Sequence, residues 1–256
     1  MTLRELENRL HAAGIENYRG EAKILAESFS EDALDGAASR RISGEPLQYI
    51  IGKWYFMNEV YEVSPAVLIP RQDTECLVEW AIKNIPHGAR IADLCTGSGC
   101  IAVSTLAARR DLTCVAVEKY PDALDVAKRN ASLNGVSDRI EFVEADVLKE
   151  QIAGEFDAIL SNPPYVTAEE YKALDKELYF EPPHSLTDGA DGLTFYRTIF
   201  EKYPAHMKRG GVIALEIGAN QAKDVETISA SRGFSAQIIK DYSGNDRVAV
   251  CKIIRS

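Results

Sequence analysis

The sequence predicts an α/β fold: a doubly wound, mostly parallel seven-stranded sheet, with a small N-terminal helical domain joined to it by a β-hairpin. Three observations carry this. From about residue 71, short apolar runs alternate with helical segments. The runs "RIADLC", "LTCVAVE", "IEFVEA", "FDAILS" and "GVIALEI" are continuously apolar, the pattern of parallel strands covered on both faces. Two last runs, "SAQIIKDY" and "DRVAVCKII", are joined by Ser243-Gly244-Asn245, which predicts an antiparallel hairpin closing one edge.

Taken in order, residues 2–43 read as helical. Thr2 and Glu5 form a capping-box pattern, and Leu3, Leu6 and Leu10 line one face of the first helix. "YRGEAKILAESF" and "EDALDGAASRRI" read as two further helices, and Gly44-Glu45-Pro46 breaks the pattern. Residues 47–69, rich in aromatic and β-branched side chains, read as a hairpin turning near Met57-Asn58-Glu59. "QDTECLVEWAIKN", "SGCIAVSTLAARR" and "PDALDVAKRNASLNG" are helices between the strands. The expected domains are 1–44 (helical, substrate-recognising), 45–70 (hairpin linker) and 71–256 (sheet domain).

The 256 residues hold Lys+Arg 29 against Asp+Glu 39, a net charge of −10, which argues against a large nucleic-acid footprint. It fits an enzyme acting on a small molecule or on a basic macromolecule. No apolar run approaches the roughly 18 residues of a membrane span, and the N-terminus carries no signal-peptide pattern, so the cytoplasm is expected. Cys76, Cys95, Cys100, Cys114 and Cys251 include no C-x-x-C pair, and the four histidines form no ligand-spaced cluster; reduced thiols and no metal site are expected.

"IADLCTGSGCIAV" runs from strand to helix through a glycine turn, with Gly97-x-Gly99-x-x-Ala102 at dinucleotide-type spacing. Glycine permits positive φ and close approach of a ligand to the backbone. Glu118 ends the next strand about 20 residues on, where a carboxylate can accept both hydroxyls of an adenosine ribose. NAD and S-adenosylmethionine both meet that description; a tight turn without a ligand is the plain alternative. Asp93, and Asp146 with Val147 after the third strand, favour S-adenosylmethionine, Asp146 toward the adenine amino group and Val147 against the ring.

The fourth strand delivers Asn162-Pro163-Pro164-Tyr165 to the same end of the sheet. Two adjacent prolines stop regular structure and remove donors. Asn162 offers a side-chain carbonyl and the prolines offer backbone carbonyls held in a fixed conformation; Tyr165 offers a flat face. The corner suits holding a planar NH₂ group, whose delocalised lone pair must be aimed at an electrophile.

These residues resemble the N-P-P-Y signature of S-adenosylmethionine-dependent methyltransferases that act on planar nitrogens, and five parallel strands plus a hairpin match the methyltransferase-type sheet. Together "RRISGEPLQYIIG", "LIPRQDTE", "DLCTGSGCIA", "SNPPYV", "FEPPHSLTDGADGLTFYR", "GGVIALEIGANQ" and "GNDRV" resemble the N5-glutamine methyltransferases of peptide chain release factors, the HemK family, from about residue 40 onward. The resemblance implies methyl transfer from S-adenosyl-L-methionine, leaving S-adenosyl-L-homocysteine, to the glutamine amide of a Gly-Gly-Gln loop. It implies Asn162 and the Pro163 carbonyl on the substrate NH₂, Pro164 beside them and Tyr165 packed on the amide. Cys95, Thr96, Gly97, Ser98, Gly99, Glu118, Asp146, Val147 and Asn162 would line the cofactor site. The expected partner is a release factor, with no nucleic acid, no membrane and a monomeric enzyme. A ribosomal-protein glutamine and a nucleic-acid amino group are the alternative substrates; a non-catalytic binding module and a nicotinamide oxidoreductase are the remaining classes. Two departures stand out. Cys95 replaces a glycine common in relatives, and φ < 0 is expected there; Val147 replaces an aromatic. Arg71 and Glu181 are placed on the rim, as functional or ion-pair residues. No dedicated general base is expected.

Overall fold

The computed structural model describes residues 1–254. Three helices open the chain, α1 (Leu3–Ala12), α2 (Tyr18–Ser28) and α3 (Glu31–Ile42). The Thr2–Glu5 capping box forms in full at the start of α1. Their apolar faces meet in a core of Leu6, Leu10, Leu25, Leu34 and Ala38 that also takes in Leu47 and Ile50.

Those last two residues belong to a short helix, α4 (Leu47–Ile51), where strand was expected. The physical reason lies at its ends. Pro46 sits at the N-cap, where its fixed φ suits helix entry, and Gly52, at φ 72, closes the turn in the left-handed region. Burial of Leu47 and Ile50 against the helices then overrides the strand preference of an isoleucine-rich run. The hairpin itself is shorter than expected, β1 (Lys53–Phe56) and β2 (Glu59–Glu62), turning at Met57-Asn58.

The sheet domain follows as α5 (Gln72–Asn84), β3 (Arg90–Leu94), α6 (Cys100–Ala108), β4 (Thr113–Glu118), α7 (Pro121–Leu133), β5 (Ile140–Glu144) and β6 (Phe156–Ser161). Short helices α8 (Ala168–Tyr171) and α9 (Pro183–Leu186) lead to α10 (Thr194–Lys202), β7 (Met207–Glu216), α11 (Ala222–Ser231), β8 (Phe234–Lys240) and β9 (Asp246–Ile253). The seven strands lie in the order β5-β4-β3-β6-β7-β9-β8. All pairs are parallel except β7–β9 and β8–β9, which form the expected antiparallel edge.

Successive strand residues serve opposite faces, as strand geometry requires. Ile91, Ala158, Leu160 and Ala214 join Leu77, Val103 and Leu106 on one side. Ala92, Ile159, Ile213 and Leu215 join Tyr196, Phe200 and Val225 on the other. The chain winds outward from β3 to β5, then returns to β6 beside β3. That reversal opens a crevice at the carboxyl ends of β3 and β6, the place where open α/β sheets hold ligands.

Candidate active site

A cavity of about 270 Å³ opens at this crevice. Its wall includes Cys95, Thr96, Gly97 and Ser98 after β3, Glu118 ending β4, Asp146 and Val147 after β5, and Asn162 and Pro164 after β6. Residues separated by up to 69 positions in sequence thus converge as expected. Gly99, Pro163 and Tyr165 do not line it.

The glycine turn is organised by one carboxylate. Glu118 Oε2 accepts from the Gly97 N–H at 3.0 Å, while Oε1 accepts from Lys119 N at 2.8 Å and Tyr120 N at 3.1 Å. Burial pushes the Glu118 carboxyl up, and these three N–H groups oppose the shift without cancelling it. A Cβ added at Gly97 would meet nothing within 4 Å, so open space lies over the turn. Gly99 serves packing instead. A Cβ there would press on Ala127 at 3.3 Å, so its absence permits α6 to lie against α7.

Cys95 is at φ 59, against the expected negative value. The chain must leave β3 through the left-handed region to lay Thr96 back on β4, where its N–H donates to Val117 O at 3.0 Å. Asp93 lies behind the turn, fully buried, accepting from the Thr96 hydroxyl at 2.5 Å and Ala102 N at 3.2 Å. Burial pushes its carboxyl up to about 7. It braces the turn and is absent from the cavity wall.

Asp146 pairs with Lys119 at 3.1 Å and accepts from Leu148 N at 3.0 Å. Burial raises its pKa, but Lys119, the Leu148 N–H and Lys149 outweigh burial and hold it below the usual range. The segment before α10 covers this side: His184 stacks on Tyr120 with ring centroids 3.5 Å apart. Burial, then Lys119, lowers the His184 pKa, favouring the neutral ring.

At the end of β6, Asn162 Nδ2 donates to the Thr74 hydroxyl at 3.2 Å. Among the described residues nothing donates to Asn162 Oδ1, or to the carbonyls of Pro163 and Pro164. The corner therefore keeps its acceptors free, as its composition implies. Tyr165 is held by several partners. Its ring is off the cavity wall, its hydroxyl donates to Glu216 Oε1 at 3.4 Å, and its carbonyl accepts from Gln221 Nε2 at 2.9 Å. The reason is packing: the ring belongs to the apolar cluster beneath α10 and β7.

The corner is gripped by residues of α5, of the turn before α10 and of the segment around the end of β7 that sequence reading passed over. Gln221 also accepts from Gly218 N at 2.9 Å and from the Tyr196 hydroxyl at 3.2 Å. Gly192, at φ +75, passes so close that a Cβ would lie 2.3 Å from the Tyr165 carbonyl oxygen. Thr74 is 1% exposed, and Glu216 is buried beside it. Their signal lay in "LIPRQDTE" and "EIGANQ", but nothing local ties either segment to Asn162.

Glu181, 2% exposed, pairs with Arg71 and accepts from Ile69 N at 3.0 Å. It pins the "LIPR" segment to the "FEPP" segment and leaves Arg71 in the cavity wall. Arg41 and Arg247 each join separate segments of the chain. Arg41 ties α3 to Glu21 and Glu177; Arg247 joins Asp241 to Asp73 on α5.

Comparison with known proteins gives four findings. The family model "methyltransferase small domain" matches residues 72–209. The chain is 39% identical to the release factor glutamine methyltransferase of Geobacter sulfurreducens, over 84% of this chain and 76% of that protein. It is 41% identical to the namesake protein of Thermodesulfovibrio yellowstonii, over 85% and 80%. A methyltransferase structure from Pyrococcus furiosus shares the fold at a TM-score of 0.58 and 19% identity, covering 75% of this chain and 87% of that one.

Proposed function

The chain belongs to the release factor glutamine methyltransferase family, and from that premise we propose that it methylates N5 of the glutamine in the Gly-Gly-Gln motif of peptide chain release factors. The methyl donor is S-adenosylmethionine, which supplies, when bound, an electrophilic methyl on a sulfonium. The observation that most supports this reading is the set of free acceptors at the end of β6, Asn162 Oδ1 and the Pro163 carbonyl, facing no donor of the described residues.

The donor set of the other wall fits the cofactor. Glu118 keeps lone pairs beyond its three backbone bonds for ribose hydroxyls. Asp146, held ionised, would accept from an adenine amino group, and Val147 in the same wall would pack on the ring. Open space over Gly97 lets the methionine part approach the backbone. On the substrate side, Asn162 Oδ1 and the Pro163 carbonyl would accept the two amide hydrogens and so fix the direction of the nitrogen lone pair. Tyr165 holds the corner from behind. An N-methylated amide cation is strongly acidic, so its proton leaves to solvent without a dedicated base.

The helical residues 1–44 are assigned to recognising the release factor, with 45–70 as connector and 71–256 as the catalytic domain. The enzyme is proposed to act as a monomer in the cytoplasm, where release factors work; no helix of the described residues is long and apolar enough to cross a membrane. Incubation with labelled S-adenosylmethionine tests the proposal. Label is expected on a release factor and lost when the Gly-Gly-Gln glutamine is replaced; persistence of label on that variant would overturn it.

A further inference from the structure

A turn flanked by two glycines changes shape easily, because glycine accepts either sign of φ. Ser98 lies in the cavity wall between Gly97, at φ 55, and Gly99, at φ 82. No side chain at Gly99 resists rotation of the Ser98–Gly99 peptide, so hydrogen bonds must hold it. Both of its polar groups are tied. Gly99 N–H donates to Thr96 O at 2.8 Å, and the Ser98 carbonyl accepts from Asn130 Nδ2 at 2.9 Å. The first bond closes within the turn, as in any β-turn. The second comes from outside it, from the last turn of α7.

Asn130 is fully buried, a costly place for an amide unless its partners are supplied. Its Oδ1 accepts from Glu62 N at 2.7 Å, and Nδ2 donates to Glu62 O at 3.0 Å as well as to Ser98 O. The amide thus pairs with β2 as a neighbouring strand would, and its second hydrogen goes to the glycine turn. Backbone groups alone fix which way it faces, since the Glu62 N–H only donates and both carbonyls only accept. One turn earlier Ala127 lies under Gly99, so one face of α7 meets the glycine turn twice. Asparagine is a poor helix former, and fastening the hairpin to α7 needs no contact with the turn. Asn134 is the proof. Its Nδ2 donates to Val60 O of β2 at 2.9 Å and to Asn130 O at 2.9 Å, and neither bond reaches the turn.

We propose that Asn130 is a positioning residue for the cofactor: by clamping the Ser98 carbonyl against the hairpin, it keeps the glycine turn in its binding shape before S-adenosylmethionine arrives. Glu118 fixes one side of the turn at Gly97, and Asn130 fixes the other at Ser98. A turn ordered in advance spares the ligand the cost of ordering it. Without the clamp, affinity falls with the fraction of molecules whose turn keeps the competent shape. The hairpin β1–β2 thereby has a task beyond linking two domains, as the surface against which the turn is held.

This inference rests on the cofactor proposed above, and its readout needs no methyl acceptor. Binding of S-adenosylmethionine and S-adenosylhomocysteine is measured by calorimetry, beside thermal unfolding of the free enzyme, for wild type, Asn130→Ala and Asn134→Ala. Asn130→Ala is expected to raise Kd for both ligands on the order of 10-fold, about the worth of one hydrogen bond. Asn134→Ala is expected to lower the melting temperature yet leave Kd within about 2-fold of wild type. Amide exchange of the free wild-type enzyme, read by NMR, adds a test that depends on no substitution. Gly99 N–H should be protected before any cofactor is added. It should exchange faster in Asn130→Ala and at the wild-type rate in Asn134→Ala. An unaltered Kd in Asn130→Ala, an equal loss of affinity in Asn134→Ala, or an unprotected Gly99 in free wild type would each overturn the inference. Failure of wild type to bind either ligand would overturn the cofactor reading instead. Binding without methylation of release factor would overturn the substrate reading and leave this inference standing.

Discussion

At the ends of β3 and β4 the cavity wall gathers backbone N–H groups around one carboxylate, whereas at the end of β6 it presents oxygens with the competing donors removed. On the first wall Glu118 draws in Gly97, Lys119 and Tyr120, none further than 21 residues away. On the second, Asn162 is held by Thr74, 88 residues away, and Tyr165 by Glu216 and Gln221, 51 and 56 residues away. The first wall is held chiefly from within; the second is braced by the rest of the fold. A ligand rich in hydroxyl and amino donors suits the acceptors of Glu118 and Asp146, and a planar NH₂ suits the braced corner. The division of labour between binding and turnover should therefore follow the division of the walls.

Asn162→Ala should break that division most sharply. One acceptor aimed at the reacting amide is lost, and kcat should fall by about 10²–10³-fold, with affinity for S-adenosylmethionine changed by less than about 3-fold. Single-turnover kinetics and calorimetry on one preparation give both numbers. A comparable loss in both would mean that the corner serves the cofactor as much as the substrate.

The same contrast explains what was legible. The glycine turn, Glu118 and Asp146 could be read because each sits at a strand end that periodicity locates, and their mutual contacts are short in sequence. The free acceptors of Asn162 and the prolines were legible from composition alone. The packing of the Tyr165 ring was not legible because it depends on α10 and β7, far along the chain. Thr74, Glu216 and Gln221 went unread for the same reason. Residues 47–51 read as strand because Ile50 and Ile51 favour it, until burial against the helical core decided otherwise.

Bracing the second wall has a consequence for stability. Burial pushes the Glu216 carboxyl up to about 7, from an ordinary value of 4.5, with the Thr74 hydroxyl and Arg247 opposing. The sign follows from proton uptake. The folded state binds this proton more tightly than the unfolded state does, so the group penalises folding fully above about pH 7. The penalty shrinks as pH falls toward 4.5 and is gone below it. Its size above pH 7 is on the order of 3 kcal/mol. Glu216→Gln should therefore raise the melting temperature at pH 8, and the gain should fade by pH 5. Denaturation scans at the two pH values check this; a gain larger at pH 5 than at pH 8 would contradict it.

On the first wall the matching change is Glu118→Gln. An amide nitrogen would then face either Gly97 N–H or the Lys119 and Tyr120 pair, donor against donor. Lost charge-assisted hydrogen bonds are worth about 1.5–3 kcal/mol, so cofactor affinity should weaken by roughly 10- to 100-fold. At saturating cofactor kcat should hold within about 3-fold. A collapse in kcat at saturation would show that the walls are not separable.

The smallest expected effect asks whether the first wall depends on its one unusual backbone residue. Cys95 stands at φ 59, where an L side chain costs roughly 1–2 kcal/mol that glycine does not incur. Two terms oppose the gain from Cys95→Gly. The unfolded chain becomes more flexible, costing about 0.4–1 kcal/mol, and the thiol's packing against the second core is lost. Backbone relief should narrowly prevail, giving a net stabilisation below about 1 kcal/mol in urea denaturation. Cofactor affinity should not move, because Gly97 is held by Glu118 and not by the thiol. A loss above about 1 kcal/mol would mean that thiol packing outweighs the strain. In that case the cysteine is there to fill the space behind the turn, and the left-handed backbone is the cost of placing it.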